Sequence, residues 1–227
     1  MKPRICVSIL PKTVTEALRL IEKAEVTRAD LIEVRLDCFK DYIRLADVAA
    51  HGKTPKIATC KLGSCHGKFC GTETEQQQLL RSAAENGFEY VDVDLHHPKL
   101  KDMVKELEQL GIRPIVSFHD FAETPRVAEL NSVLDREIAS GADICKIITT
   151  AKHIEDNLAI LNFTLAACNK AKIVCFAMGE AGKVSRLLSP LFGGYFTFAS
   201  LERGNETAAG QLAIQEMKTA YELLGQK

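Results

Sequence analysis

The segment "GADICKIITT", Gly141 to Thr150, sets a lysine inside an apolar run flanked by threonines. An ammonium group in such a run must be paired, lose its proton or reach an opening. A lysine whose pKa is pulled down by desolvation and nearby cations is an amine that can attack a ketone and form an imine. A lysine that snorkels to a carboxylate is structural instead, and Lys146 carries both readings. His119 ends the run "RPIVSFH" and offers a proton acceptor for imine chemistry. Arg186 follows a turn containing Gly179 and Gly182. Its planar fork suits a carboxylate, although a solvated helix position is the plainer alternative. Glu33, Arg35 and Asp37 alternate in "LIEVRLD" and so share one side of a strand, as Asp92 and Asp94 do in "YVDVDL". Each set can pin a strand by internal pairing as readily as it can meet a ligand.

These residues need a scaffold that brings strand ends together. Eight β-rich runs recur along the chain: Arg4–Leu10, Leu31–Asp37, Pro55–Lys61, Tyr90–Leu95, Arg113–His119, Asp143–Thr149, Lys172–Met178 and Tyr195–Ser200. Most are apolar on both faces, as strands of a parallel sheet covered on both sides should be. Between them, apolar residues fall three and four apart, which predicts helices starting near Thr13, Thr72, His97 and Thr124, with a last one from Thr207. Several start at a capping residue and stop at a glycine: Gly87, Gly111 or Gly141. The alternation predicts an α/β protein, a single (β/α)8 TIM barrel over residues 1–227. A doubly wound open sheet is the alternative, but "PKTVTE" follows the first run where a glycine-rich phosphate turn would stand. A barrel gathers its site at the C-terminal ends of its strands. Thr59, Lys61, Ser117, Met178, Ser185, Thr207 and Gln211 join the residues above at those ends.

Bulk properties exclude several classes. The 227 residues are 46% hydrophobic and 26% charged, with a net charge of −1. No basic excess exists for nucleic acid, and no apolar run approaches the roughly 20 residues of a membrane span. The opening "MKPRICVSIL" reads as a first strand rather than a signal peptide. Six of the eight cysteines lie in or beside apolar segments, as small hydrophobes do. That usage points to a reducing cytoplasm. Cys60, Cys65, His66 and Cys70 form a C-x4-C-H-x3-C pattern, a weaker zinc signal than paired C-x2-C units.

Together "EVRLD", "SFHDF", "ADICKIITTA", "MGEAGKVSRLLSPLFGGYFTFA" and "AAGQLAI" resemble type I 3-dehydroquinate dehydratase, in order and spacing from Ile5 to about Leu224. The likeness is greatest to the first half of bifunctional dehydratase–shikimate dehydrogenase proteins. It implies a barrel that is usually dimeric, fused to or partnered with shikimate dehydrogenase in some forms, with no metal or organic cofactor. The implied reaction is syn elimination of water from 3-dehydroquinate, a small-molecule substrate, to give 3-dehydroshikimate. Lys146 matches the Schiff-base lysine, His119 the general base and Arg186 the arginine on the substrate carboxylate. Glu33 and Arg35 match residues that hold substrate hydroxyls, Met178 an apolar neighbour of the imine, and Gln211 a residue of the closing loop. Lys61 stands where the family has arginine, Thr207 where it has serine, and Cys65 where a glutamate is thought to orient the histidine. Thiols are weak donors and acceptors, so the Cys65 departure implies slower turnover or another orienting group for His119. Two further readings stay open: a lysine-dependent aldolase, and a barrel that binds the ligand without turning it over.

Overall fold

All eight predicted runs form strands: β1 (Ile5–Ile9), β2 (Leu31–Arg35), β3 (Lys56–Thr59), β4 (Tyr90–Asp94), β5 (Arg113–His119), β6 (Ile144–Thr150), β7 (Ile173–Met178) and β8 (Thr197–Ser200). The computed structural model describes residues 2–39, 42, 44–63 and 67–226. Neighbours in sequence are neighbours in space, every pair is parallel, and β1 also pairs with β8. The sheet therefore curls into a nearly closed barrel, which overturns the open-sheet alternative. At the β7–β8 seam the Tyr195 N–H donates to the Ile173 carbonyl at 2.7 Å.

Helices follow the strands: α1 (Val14–Val26), α2 (Leu45–Ala50), α3 (Glu73–Glu85), α4 (Leu100–Gln109), α5 (Val127–Ala139), α6 (Asp156–Ala167), α7 (Lys183–Leu188) and α8 (Ile214–Leu223). Thr13 caps α1, and Thr72 with Glu75 forms a reciprocal capping box on α3. Thr124 does not cap α5. Its hydroxyl bonds Thr149 and the Thr150 carbonyl instead, and the helix starts at Val127. The last helix begins at Ile214, seven residues after the predicted Thr207. Gly210 is the reason. It holds φ +73 with its backbone against Gly179, where a Cβ would lie 2.1 Å from the Gly179 oxygen. Among the described residues no helix is long and apolar enough to cross a membrane.

Strand alternation sorts the side chains. Val7, Val34, Ala58, Val91, Cys145 and Cys175 face outward into the layer beneath the helices. Inward positions start with an apolar plug that includes Cys6, Leu31, Ile57, Ile115, Ile144 and Phe196. Two residues further along several strands, the inward positions become polar: Ser8, Glu33, Thr59, Asp92, Ser117 and Lys146. That switch creates the site.

Candidate active site

Lys146 is 5% exposed and belongs to the inward row of β6. Its Nζ donates to Asp92 Oδ2 at 2.8 Å, lies 3.5 Å from Glu33 Oε1 and stands 4.5 Å above the Phe198 ring. Glu33 also accepts hydrogen bonds from the Ser8 hydroxyl and from Thr59 Oγ1, the latter at 3.0 Å. Asp92 has a second cation. Lys61 Nζ donates to Asp92 Oδ1 at 2.7 Å and to Ser117 Oγ at 2.8 Å. The buried lysine is thus paired and faces an opening as well.

These contacts set the charge states. Burial alone would pull Lys146 down, but Asp92 and Glu33 outweigh it and hold its pKa above the ordinary lysine value. The expectation of a lysine depressed at rest is therefore corrected: the two carboxylates favour the ammonium. Burial likewise opposes ionisation of Asp92, yet Lys146 and Lys61 drive its pKa far below the aspartate range. His119 moves the other way. Burial and then the Lys61 and Lys146 ammoniums push its pKa well below the ordinary histidine value, so the ring is neutral near pH 7. Its imidazole stacks on Phe121 at 5.8 Å between centroids. No hydrogen bond from the described residues reaches its ring nitrogens, and the ring lines the cavity.

Arg186 lies on α7 and is 1% exposed. Gly182 permits this approach, because a Cβ there would meet the Ala177 and Met178 carbonyls at 2.5 Å. The guanidinium lies 4.2 Å from the Phe176 ring centroid and donates one hydrogen bond, to the Ala209 carbonyl at 3.2 Å. Its Nε has no partner, and it has no ion pair among the described residues. Burial lowers its pKa to about 9. An under-partnered buried guanidinium is a receptor for an anion. Arg35 is different. It makes a two-pronged pair with Asp37 at 2.8 and 2.9 Å, which satisfies part of its fork and confirms internal pairing for those two residues. Asp37 leaves the strand in a 3-10 turn, so it does not share the inward row of Glu33 and Arg35 as expected.

Glu33, Arg35, Lys61, His119, Lys146, Met178, Arg186, Thr207 and Gln211 all line one cavity of about 450 Å³. Gln211 Oε1 accepts the Thr207 N–H at 2.7 Å and bonds its hydroxyl at 3.2 Å, which braces the loop after β8 where both residues line the cavity. Ser185 is not in the cavity: its hydroxyl accepts the Ala177 N–H and donates to the Gly182 carbonyl. The structure adds Ser8, His96, Phe176 and Phe198 to the lining. Of these, His96 had a usable signal, since it follows the end of β4 by two residues; the phenylalanines read only as core. Cys65 and His66 lie outside the described residues. Cys60 is buried with its thiol pushed up to about 12 by burial, unlike a zinc-ready thiolate. Among the described residues no group of three candidate ligands is placed to hold a metal.

Comparison with known proteins agrees with this geometry. The family model for type I 3-dehydroquinase matches residues 5–227. A 3-dehydroquinate dehydratase of Dehalococcoides mccartyi is 37% identical over 219 residues, covering 96% of this chain and 95% of that protein. The crystal structure of 3-dehydroquinate dehydratase from Geobacillus kaustophilus superposes with a TM-score of 0.90 at 27% identity, covering 99% of this chain and 92% of that one. The dehydroquinate dehydratase and shikimate dehydrogenase structure of S. pombe AroM matches at 25% identity with a TM-score of 0.78. It covers all of this chain, which spans 45% of that protein.

Proposed function

The chain belongs to the type I 3-dehydroquinase family, and we propose that it dehydrates 3-dehydroquinate to 3-dehydroshikimate through an imine on Lys146. One observation carries the reading. A single cavity holds a carboxylate-paired lysine at its floor and a buried arginine that has no carboxylate partner among the described residues. A ketone that also bears a carboxylate satisfies both groups. Arg186 takes the carboxylate, Glu33, Arg35, Thr207 and Gln211 contact the polar rim of the ring, and Lys61 lines the wall beside them. Met178 packs beside the imine.

The steps balance. The Lys146 ammonium gives up a proton by way of His119, the amine adds to the ketone carbon, and the carbinolamine hydroxyl takes that proton back and leaves as water to give an iminium. Its electron demand makes the neighbouring C–H acidic. Neutral His119 takes that proton, leaving an enamine. The enamine expels the β-hydroxyl as water, protonated by His119, and a water molecule then hydrolyses the conjugated iminium to free Lys146. One water is lost overall.

Cys6, Cys60, Cys145 and Cys175 are buried as small hydrophobes, a usage that supports a reducing cytoplasm as the compartment. The homodimer is proposed from the family resemblance, and association with a shikimate dehydrogenase from the S. pombe likeness. The functional test is borohydride trapping with 3-dehydroquinate followed by peptide mapping. A reduced adduct on Lys146, together with the absorbance of conjugated product, is expected. An adduct without product would mark a barrel that only binds, and labelling elsewhere would refute the assignment.

A further inference from the structure

Two lysines share one aspartate at the cavity floor, each on its own oxygen. We propose that Lys61 is a positioning residue that weakens the hold of Asp92 on the Lys146 ammonium and so lowers the pH at which the imine forms. The inference rests on Lys146 being the imine-forming residue.

Lys61 is not a loose mouth lysine. It is 8% exposed, and two of its three N–H bonds go to Asp92 and Ser117. Ser117 in turn donates to the same Asp92 oxygen at 2.7 Å, so two mutually bonded residues lock that side of the carboxylate. The backbone of Lys61 is fixed too. Its carbonyl accepts the Phe69 N–H at 3.2 Å, and Gly67 packs so closely that a Cβ there would lie 1.8 Å from that carbonyl oxygen.

The charges around Lys146 give the direction. Asp92 and Asp94 face it from β4, Glu33 and Arg35 from β2, Cys6 from β1, His119 from β5, Lys61 from beyond β3 and Arg186 from α7. Arg35 is neutralised by Asp37. Lys61, Lys146, Asp92 and Glu33 are linked by contacts of 2.7, 2.8 and 3.5 Å and their charges sum to zero, with Asp94 at 3.9 Å from Lys61. Without Lys61, two carboxylates would bracket a single ammonium, and Asp92 would be free to turn both oxygens to it. A proton on Lys146 would then be harder to remove. His119 would respond in the same sense, because Lys61 is one of the cations that keeps its ring neutral.

Lys61 also lines the cavity, so a direct substrate contact is the competing role. The two roles separate in pH and in KM. Single-turnover mixtures with 3-dehydroquinate are quenched with borohydride at timed intervals across a pH series that runs from neutral to beyond the ordinary lysine range, and adduct on Lys146 is counted by mass. For Lys61→Met the midpoint of the trapping rate should move up by about one pH unit or more, an approximately tenfold slower capture at pH 7. KM should change by less than about threefold, and Lys61→Arg should return the midpoint towards wild type. Should the methionine variant fail to fold, Lys61→Gln keeps a donor to Asp92 without the charge and carries the same expectation. An unchanged midpoint, or a loss confined to KM, overturns the proposal while leaving the imine assignment intact. No adduct in the wild-type protein overturns the imine reading and this inference with it.

Discussion

Replacing Asp92 by asparagine removes the anion that holds two buried ammoniums. The residue is 1% exposed and accepts from Lys61 at 2.7 Å, Lys146 at 2.8 Å and Ser117 at 2.7 Å. An amide can accept at one position only and turns an NH2 donor towards the other lysine. Glu33 is then the nearest remaining anion for Lys146, at 3.5 Å. Removing one partner of a buried pair costs about 3–5 kcal/mol. For a chain of this size that corresponds to a Tm lower by about 6–20 °C. The pH dependence has a definite sign. Asp92 has a depressed folded pKa, so its contribution is present above about pH 4 and is lost as pH falls towards its folded value. Lys146 has a raised folded pKa, so its contribution is present below about pH 10 and is lost as pH rises through its folded value. Urea unfolding of both proteins from pH 3 to pH 10 should therefore give a stability difference that is flat from pH 5 to pH 9 and shrinks below pH 4. A variant within about 1 kcal/mol of wild type at pH 7, or a difference that grows on acidification, would refute the role assigned to the shared carboxylate.

Arg186→Gln should act with opposite signs on binding and stability. Losing a charge-assisted contact worth about 1.5–3 kcal/mol raises KM for 3-dehydroquinate by roughly 10- to 150-fold. Thermal unfolding of the free protein should show an unchanged or higher Tm, because a buried cation with no ion pair among the described residues disfavours folding; a lower Tm together with an unchanged KM would contradict this. His119→Asn should keep the borohydride adduct on Lys146 but lose about 10²- to 10⁴-fold in kcat. In the wild type the acid limb of kcat/KM should fall below about pH 6.5, since the ring is already neutral there, and a limb at or above pH 7 would count against it.

Periodicity made the barrel legible because it depends on local pattern: β-branched runs, caps such as Thr72 and glycine stops such as Gly141. Where the element is not written in local pattern, the reading slipped. The segment from Thr207 has helical spacing, but contact between Gly210 and Gly179, thirty-one residues away, keeps its first turn from forming. In α6 the apolar residues lie on both faces, with Leu158 and Leu165 exposed while Ile160 and Phe163 are buried, so no stripe marks its inner side. At the site, alternation told which residues share a strand face but not which meet across the barrel. Asp92 and Lys146 are separated by 54 residues and sit on strands that do not pair. Strand register brings them together, and no spacing rule within one segment contains it. His96 was missed for a different reason: its place two residues after β4 is a usable signal, but a histidine in "DLHHP" reads as an ordinary loop residue.

The charge state of Lys146 is where sequence and structure disagree most, and the chemistry resolves it. A neutral amine is needed at the instant of attack, which suggested a lysine depressed at rest. The overall exchange has a different requirement. An ammonium and a ketone give an iminium and water, so the nitrogen is cationic before and after, and no proton is released on balance. Asp92 at 2.8 Å and Glu33 at 3.5 Å therefore stabilise the product of imine formation through the same attraction that holds the resting ammonium. Strong pairing leaves the imine equilibrium largely untouched and slows only the passage through the free amine. Evolution of such a site should then act on the proton exchange rather than on removing the carboxylates. A second cation drawn to the far side of Asp92 and a neutral imidazole on the adjacent strand both act at that step.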